Sequence, residues 1–155
     1  LDLIELMDNK TAGMGNQRDF ADLISYELRR AERYRIFLSL VVFNIGPIIE
    51  LGGNGSLVKD DDREQFVGNL FEILKGSVRD VDLLSEREGI KIGVLLPETP
   101  RQGAEAAARR ISDSLYSFCS DYFKKPADYL VPVEISSFPD AAGARSIASY
   151  IEDFN

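Results

Sequence analysis

Residues 36–45 are apolar throughout except for Ser39 and Asn44. A run of that length, without polar alternation, reads as a strand buried on both faces. It falls well short of the ~20 apolar residues needed to span a bilayer. A strand covered on both sides demands amphipathic elements to cover it, and the chain supplies them. After Asn16, an N-cap residue type, Phe20, Leu23, Ile24, Leu28, Ala31 and Tyr34 recur at helical spacing. Phe66, Leu70, Ile73 and Leu74 form the apolar face of a second helix ending near Val78. Ala104, Ala107, Ala108, Ile111, Leu115 and Phe118 form that of a third. Residues 81–85 and 90–96 read as two short strands joined by Glu86-Arg87-Glu88-Gly89, a hairpin. Residues 130–136 read as a last strand and 141–154 as a last helix. Residues 46–62, rich in Gly, Asn and Asp, read as a long loop. The order is helix, strand, helix, hairpin, helix, strand, helix, which predicts an α/β (α+β) fold: a sheet with helices packed on its faces.

The remaining sequence bounds partners and setting. The chain has 155 residues, the size of one domain, with 18 basic against 26 acidic side chains and a net charge of −8. Without a basic stripe it is a poor partner for DNA or RNA. A small anion held by a few arginines stays compatible with that balance. There is no histidine, which removes Ser-His-Asp triads and His-based metal sites. Cys119 is alone and falls on the apolar helix face, where it reads as a core residue in a reducing, cytoplasmic setting. The first residues carry Asp2, Glu5 and Asp8 where a signal peptide has a basic flank. Residues 1–10, with Leu1, Ile4 and Met7 on one short face, read as the end of a signalling helix. Residues 11–155 read as the domain itself. Because the chain starts at Leu1, it is expected to belong to a longer polypeptide with an upstream sensor or regulatory domain.

In the hairpin Asp82 opens the first strand, Glu88-Gly89-Ile90-Lys91-Ile92 makes the turn and second strand, and Leu95-Leu96-Pro97-Glu98-Thr99 follows. This pattern resembles the signature hairpin of the GGDEF domains, the diguanylate cyclases that join two GTP molecules into cyclic di-GMP. The resemblance runs along nearly the whole chain. Asp8, Thr11, Gly13, Asn16 and Phe20 are similar to the family's opening motif, with one extra residue. Glu27, Arg30, Ala31 and Arg33 resemble its first helix, and residues 136–140 its late strand and turn. The resemblance implies a central, mostly antiparallel sheet flanked by helices.

It also implies that the chemistry is lost. Phosphoryl transfer needs Mg²⁺ to gather triphosphate oxygens, and Mg²⁺ wants carboxylates. Where the family places an Asp at the end of the first strand, this chain has Asn44; the acidic pair of the signature is Ile90 and Lys91, and its first glycine is Glu88, before Gly89. A lysine ~4 Å from a divalent ion repels it by about 8 kcal/mol at an effective dielectric of 20. Gly52 and Gly53 stand near the guanine-reading positions, and Ile49 replaces a lysine. Asp60, Asp61 and Asp62 are candidate substitutes, but three acids at a helix start also serve as dipole partners and solvated charge. The expectation is a domain without catalytic residues, metal or cofactor.

A second, product-binding site is what the resemblance preserves. Arg79-Asp80-Val81-Asp82 fits the family's Arg-x-x-Asp mark five residues before the signature, and Ala108-Arg109-Arg110-Ile111 places a further arginine at Arg110. Guanidinium forks bind phosphate and the guanine N7/O6 edge, and a carboxylate accepts from guanine N1 and N2. Arg79, Asp82 and Arg110 are therefore the expected cyclic di-GMP ligands. The alternative for Arg79 and Asp82 is an ordinary surface ion pair. Three functions follow in order: an inactive cyclic di-GMP receptor, a dimerisation or protein-interaction module without ligand, and an active cyclase.

Overall fold

The computed structural model describes residues 17–49, 58–85, 89–124, 131–140 and 143–154. The expected helix of residues 1–10, the N-cap Asn16, the Gly52–Gly55 tip and the hairpin residues Glu86, Arg87 and Glu88 lie outside them. Helix α1 (Gln17–Tyr34) leads into strand β1 (Leu38–Asn44), and a single helical turn, α2 (Gly46–Ile49), follows. A 3-10 turn (Asp60–Asp62) opens α3 (Arg63–Ser77). Strands β2 (Leu83–Leu84) and β3 (Lys91–Pro97), helix α4 (Arg101–Phe123), strand β4 (Val133–Phe138) and a terminal 3-10 helix (Ile147–Phe154) complete the chain. The sheet order is β2-β3-β1-β4, with every neighbouring pair antiparallel.

The apolar run occupies the centre, as its composition requires. Val41, Phe43 and Ile45 of the run join Ile92, Val94 and Leu96 under α3 and α4. Leu38, Leu40 and Val42 point the other way, with Leu95, against α1 and the terminal 3-10 helix. The alternating side chains of one strand thus feed two cores. On α4 the predicted alanine stripe is buried and continues to Cys119, which is free and buried. Burial pushes the Cys119 thiol up to about 11, so it stays protonated and inert.

Four elements depart most from the sequence expectation. Residues 46–49 are helical rather than loop, because Ile48 and Ile49 are buried and the Asn44 Oδ1 accepts the Gly46 N–H at 2.9 Å. Strand β2 is two residues long; Val81 stays exposed because residues 79–82 form a turn, with the Asp82 N–H bonded to the Arg79 carbonyl at 3.0 Å. Strand β4 runs through Ser136 and Ser137 to Phe138, since the Ser137 hydroxyl pairs with that of Ser39 at 2.8 Å and Ser39 donates to the Thr99 carbonyl at 2.7 Å. The last helix is 3-10 and starts at Ile147, after Gly143 takes φ 80°.

The end of α1 carries a departure from helix-capping rules. Tyr34, expected on the apolar stripe, is 62% exposed. Beyond it Arg35 sits in the left-handed region at φ 55°, while the Ile36 N–H reaches back to the Ala31 carbonyl at 3.1 Å. That is the cap position which normally takes glycine. Arg35→Gly is therefore expected to stabilise the domain by about 0.5–1 kcal/mol, the left-handed penalty less the added chain entropy of glycine. Urea unfolding of the two proteins measures it.

Candidate functional site

Two places gather the residues singled out by sequence. The first is the end of β1 and start of β3. Asn44 and Lys91 are direct partners in the β1–β3 register. The Ile45 N–H donates to the Ile90 carbonyl at 2.8 Å, whereas the Asn44 N–H turns to Pro132 at 2.9 Å. Asn44 and Lys91 thus form a non-hydrogen-bonded pair, the type with Cα atoms about 4.5 Å apart and side chains closest. The Asn44 amide is engaged by Gly46. Ile90 packs beside that glycine, since a Cβ on Gly46 would lie 3.2 Å from the Ile90 Cδ1 and 2.9 Å from the Asn44 Oδ1. Gly89 takes φ 81° at the entry to β3.

The Lys91 ammonium is not left to face solvent. Its Nζ lies 3.2 Å from the Asp153 Oδ2 on the terminal 3-10 helix. Arg145 Nη2 donates to the same oxygen at 3.3 Å, and its Nη1 pairs with Glu134 at 3.4 Å. The Arg145 guanidinium also stands over the Tyr150 ring, 3.6 Å from its centroid, and the Tyr150 hydroxyl donates to Glu134 at 2.6 Å. Burial, reinforced by that Glu134 contact and opposed by Arg145, pushes the Tyr150 phenol up to about 12. Sequence reasoning found neither Asp153 nor Arg145. The only signal was the lysine itself: a cation on a central strand needs a carboxylate from elsewhere in the chain. Among the described residues no group of three or more acidic or cysteine side chains is placed to share a metal ion.

The second place is the turn before the hairpin. The Asp82 carboxylate accepts the Arg79 backbone N–H at 2.8 Å and the Arg79 guanidinium through Nε and Nη2, the latter at 2.9 Å. Arg79 Nη2 also reaches the Thr99 hydroxyl at 2.8 Å, tying the turn to the end of β3. The hydrogen bond to Asp82 raises the Arg79 pKa, with desolvation opposing it. The pair is asymmetric: the Asp82 side chain is 2% exposed and that of Arg79 54%. Asp82 is thus covered by the arginine it orients. From α4, Arg110 Nη2 donates to the Ser77 carbonyl at 3.0 Å, two residues before Arg79. The fold brings Arg79, Asp82 and Arg110 to one edge, where α3 hands over to the hairpin. Arg109 beside them is exposed. Asp61 and Asp62 are exposed at the start of α3, and Asp62 caps that helix without a side-chain hydrogen bond.

No protein-family profile matches the chain, and no curated protein matches it in sequence. Solved structures do. The GGDEF domain of DgcB from Caulobacter crescentus, in complex with c-di-GMP, superposes with a TM-score of 0.67 at 13% identity, covering 90% of this chain and 80% of that one. The active GGEEF domain of a diguanylate cyclase from Vibrio cholerae gives 0.63 at 18% identity, over 86% and 81%. Diguanylate cyclase SiaD from Pseudomonas aeruginosa, in complex with its activator SiaC, gives 0.63 at 16% identity, over 92% of this chain and 52% of that one. With four antiparallel strands among its described residues, helices on both faces and the β2–β3 pair between α3 and α4, the chain has the fold of the GGDEF domains.

Proposed function

We propose that this domain belongs to cyclic di-GMP signalling as a receptor that has lost the cyclase reaction, with Arg79, Asp82 and Arg110 as the dinucleotide-binding residues. The observation that carries the reading is the placing of two exposed guanidinium groups at one edge, each anchored from behind: Arg79 by Asp82 and Thr99, Arg110 by the Ser77 carbonyl. Anchored forks lose little further entropy on engaging phosphate or a guanine edge. A guanine that takes over the Arg79 fork frees the Asp82 carboxylate to accept from the ring N1 and N2 hydrogens. The DgcB domain solved with c-di-GMP supports the ligand class.

Loss of catalysis is supported by the other site. Its donor set does not fit Mg²⁺: an amide already engaged, an alkyl chain, and an ammonium whose carboxylate partner is shared with a guanidinium. Calorimetry with cyclic di-GMP tests the receptor. Saturable binding is expected, weakened about 10–100-fold in Arg79→Ala, the worth of a charge-assisted fork. Absence of heat at high micromolar ligand, or an unchanged Arg79→Ala, refutes it. Formation of cyclic di-GMP from GTP and Mg²⁺ by this chain refutes the loss of catalysis.

A further inference from the structure

Two surfaces on opposite faces of the sheet have complementary chemistry. At the C-terminal tip of α1, Arg29, Arg33 and Arg35 are exposed, and among the described residues none has a carboxylate partner. Close to them in sequence, Tyr34 and Phe37 are 62% and 50% exposed. The Arg33 guanidinium rests 5.5 Å from the Tyr34 ring centroid. Arg35 projects from the left-handed cap where glycine is the relaxed choice. A basic, aromatic tip held in a strained turn is an unusual surface on a chain of net charge −8.

Behind the other face, α3 and α4 flank a shallow, open groove of about 640 Å³. Ile73 and Phe118 supply its apolar lining, and Glu72, Asp113 and Asp121 stand along it. Asp113 and Asp121 are exposed and carry no ion pair among the described residues. The groove's carboxylates are opposite in charge to the tip, and Ile73 and Phe118 offer apolar surface to an aromatic ring. Because α1 covers one face of the sheet and α3 and α4 the other, tip and groove cannot meet within one molecule.

We propose that the Arg33–Tyr34–Arg35 tip of one chain seats in the α3–α4 groove of a second copy. The two surfaces differ, so the contact is heterologous and runs head to tail, extending beyond a dimer unless its rotation closes a ring. Charge pairing sets its specificity and makes it salt-sensitive, while the aromatic side chains lose exposed surface. Arg110 borders the groove through its bond to the Ser77 carbonyl, but Arg79 and Asp82 line neither surface, so the two readings are separable at Arg79.

Sedimentation velocity on this chain, from about 10 to about 300 µM at low and at high salt, tests it. The weight-average mass is expected to rise at least about 1.5-fold across the range at low salt and to stay monomeric at high salt. Arg33→Glu with Arg35→Glu, and separately Asp113→Lys with Asp121→Lys, should each stay monomeric at low salt. An equimolar mixture of these two double variants should associate again, since each surface then meets an opposite charge; the rescue also shows that both are folded. Arg79→Ala should associate like the parent. A flat mass at low salt, association that survives either reversal, or a mixture that stays monomeric overturns the proposal. So does co-sedimentation of the tip with phosphatidylglycerol vesicles in a chain that does not self-associate.

Discussion

Gly93→Ala should cost about 3 kcal/mol of stability, the upper end of the range for overpacking a core. Gly93 lies in the middle of β3, where a Cβ would stand 2.5 Å from the Phe20 Cε2 and 2.8 Å from the Phe154 Cζ. Those two rings are buried and meet edge to face, with centroids 4.9 Å apart. Neither is the loose end of a flexible chain, so relief requires moving α1 or the terminal 3-10 helix. The backbone cannot retreat either. The Gly93 N–H donates to the Ser85 hydroxyl at 2.8 Å, and its carbonyl accepts from the Ser85 N–H at 2.9 Å. Urea unfolding of the single variants and of the pair with Phe154→Leu measures the collision as a coupling energy. The cost of Gly93→Ala should shrink by at least about 1 kcal/mol in the Phe154→Leu background, where the smaller side chain makes room. An undiminished cost would place the strain elsewhere.

The sequence carried the fold in its two strongest patterns. The unbroken apolar run of β1 demanded cover on both faces, and the alanine stripe of α4 marked a helix lying close to the sheet. Both are local properties of the chain, legible without knowing the partner. What escaped depended on contacts at a distance. Ser136 and Ser137 read as a strand end because hydroxyls seldom sit in a sheet interior; Ser39, 98 residues away, satisfies Ser137. The turn at residues 46–49 looked like loop because Gly and Pro dominate its start, yet Ile48 and Ile49 needed burial.

The same division holds for the sites. Arg79 and Asp82 are three residues apart, so their pairing was visible as a local motif. Which of the two faces solvent was not, because that is decided by the reach of Arg79 to Thr99. At the other site, sequence identified Lys91 as a charge that repels a divalent ion but not the group that holds it. Asp153 lies 62 residues further on and arrives only because the terminal 3-10 helix packs against α1 across the sheet from α3 and α4. The ion pair gives that lysine a structural role. Lys91 fastens the terminal 3-10 helix to β3.

Alkali should weaken this domain through two buried acids. Burial raises Cys119 from 9.0 to about 11, and burial with the Glu134 contact raises Tyr150 from 10.0 to about 12. In both cases the folded state holds its proton more tightly than the unfolded state. Their contribution is complete below the unfolded pKa and is lost as pH climbs toward the folded value, at about 1.4 kcal/mol per pH unit for each group inside its window. For Cys119 that window opens near pH 9, and for Tyr150 near pH 10. Between about pH 8 and about pH 11 the two together should remove about 3–4 kcal/mol, a large share of the stability of a domain this size. Urea midpoints across that range measure the slope. The double variant Cys119→Ala with Tyr150→Phe starts from lower stability, since it leaves a small cavity and takes a donor from Glu134, but its dependence on pH should be nearly flat. Each single variant should lose only its own part of the slope, with the Cys119→Ala curve departing from the parent first. A double variant that falls as steeply as the parent would mean that other groups carry the alkaline transition.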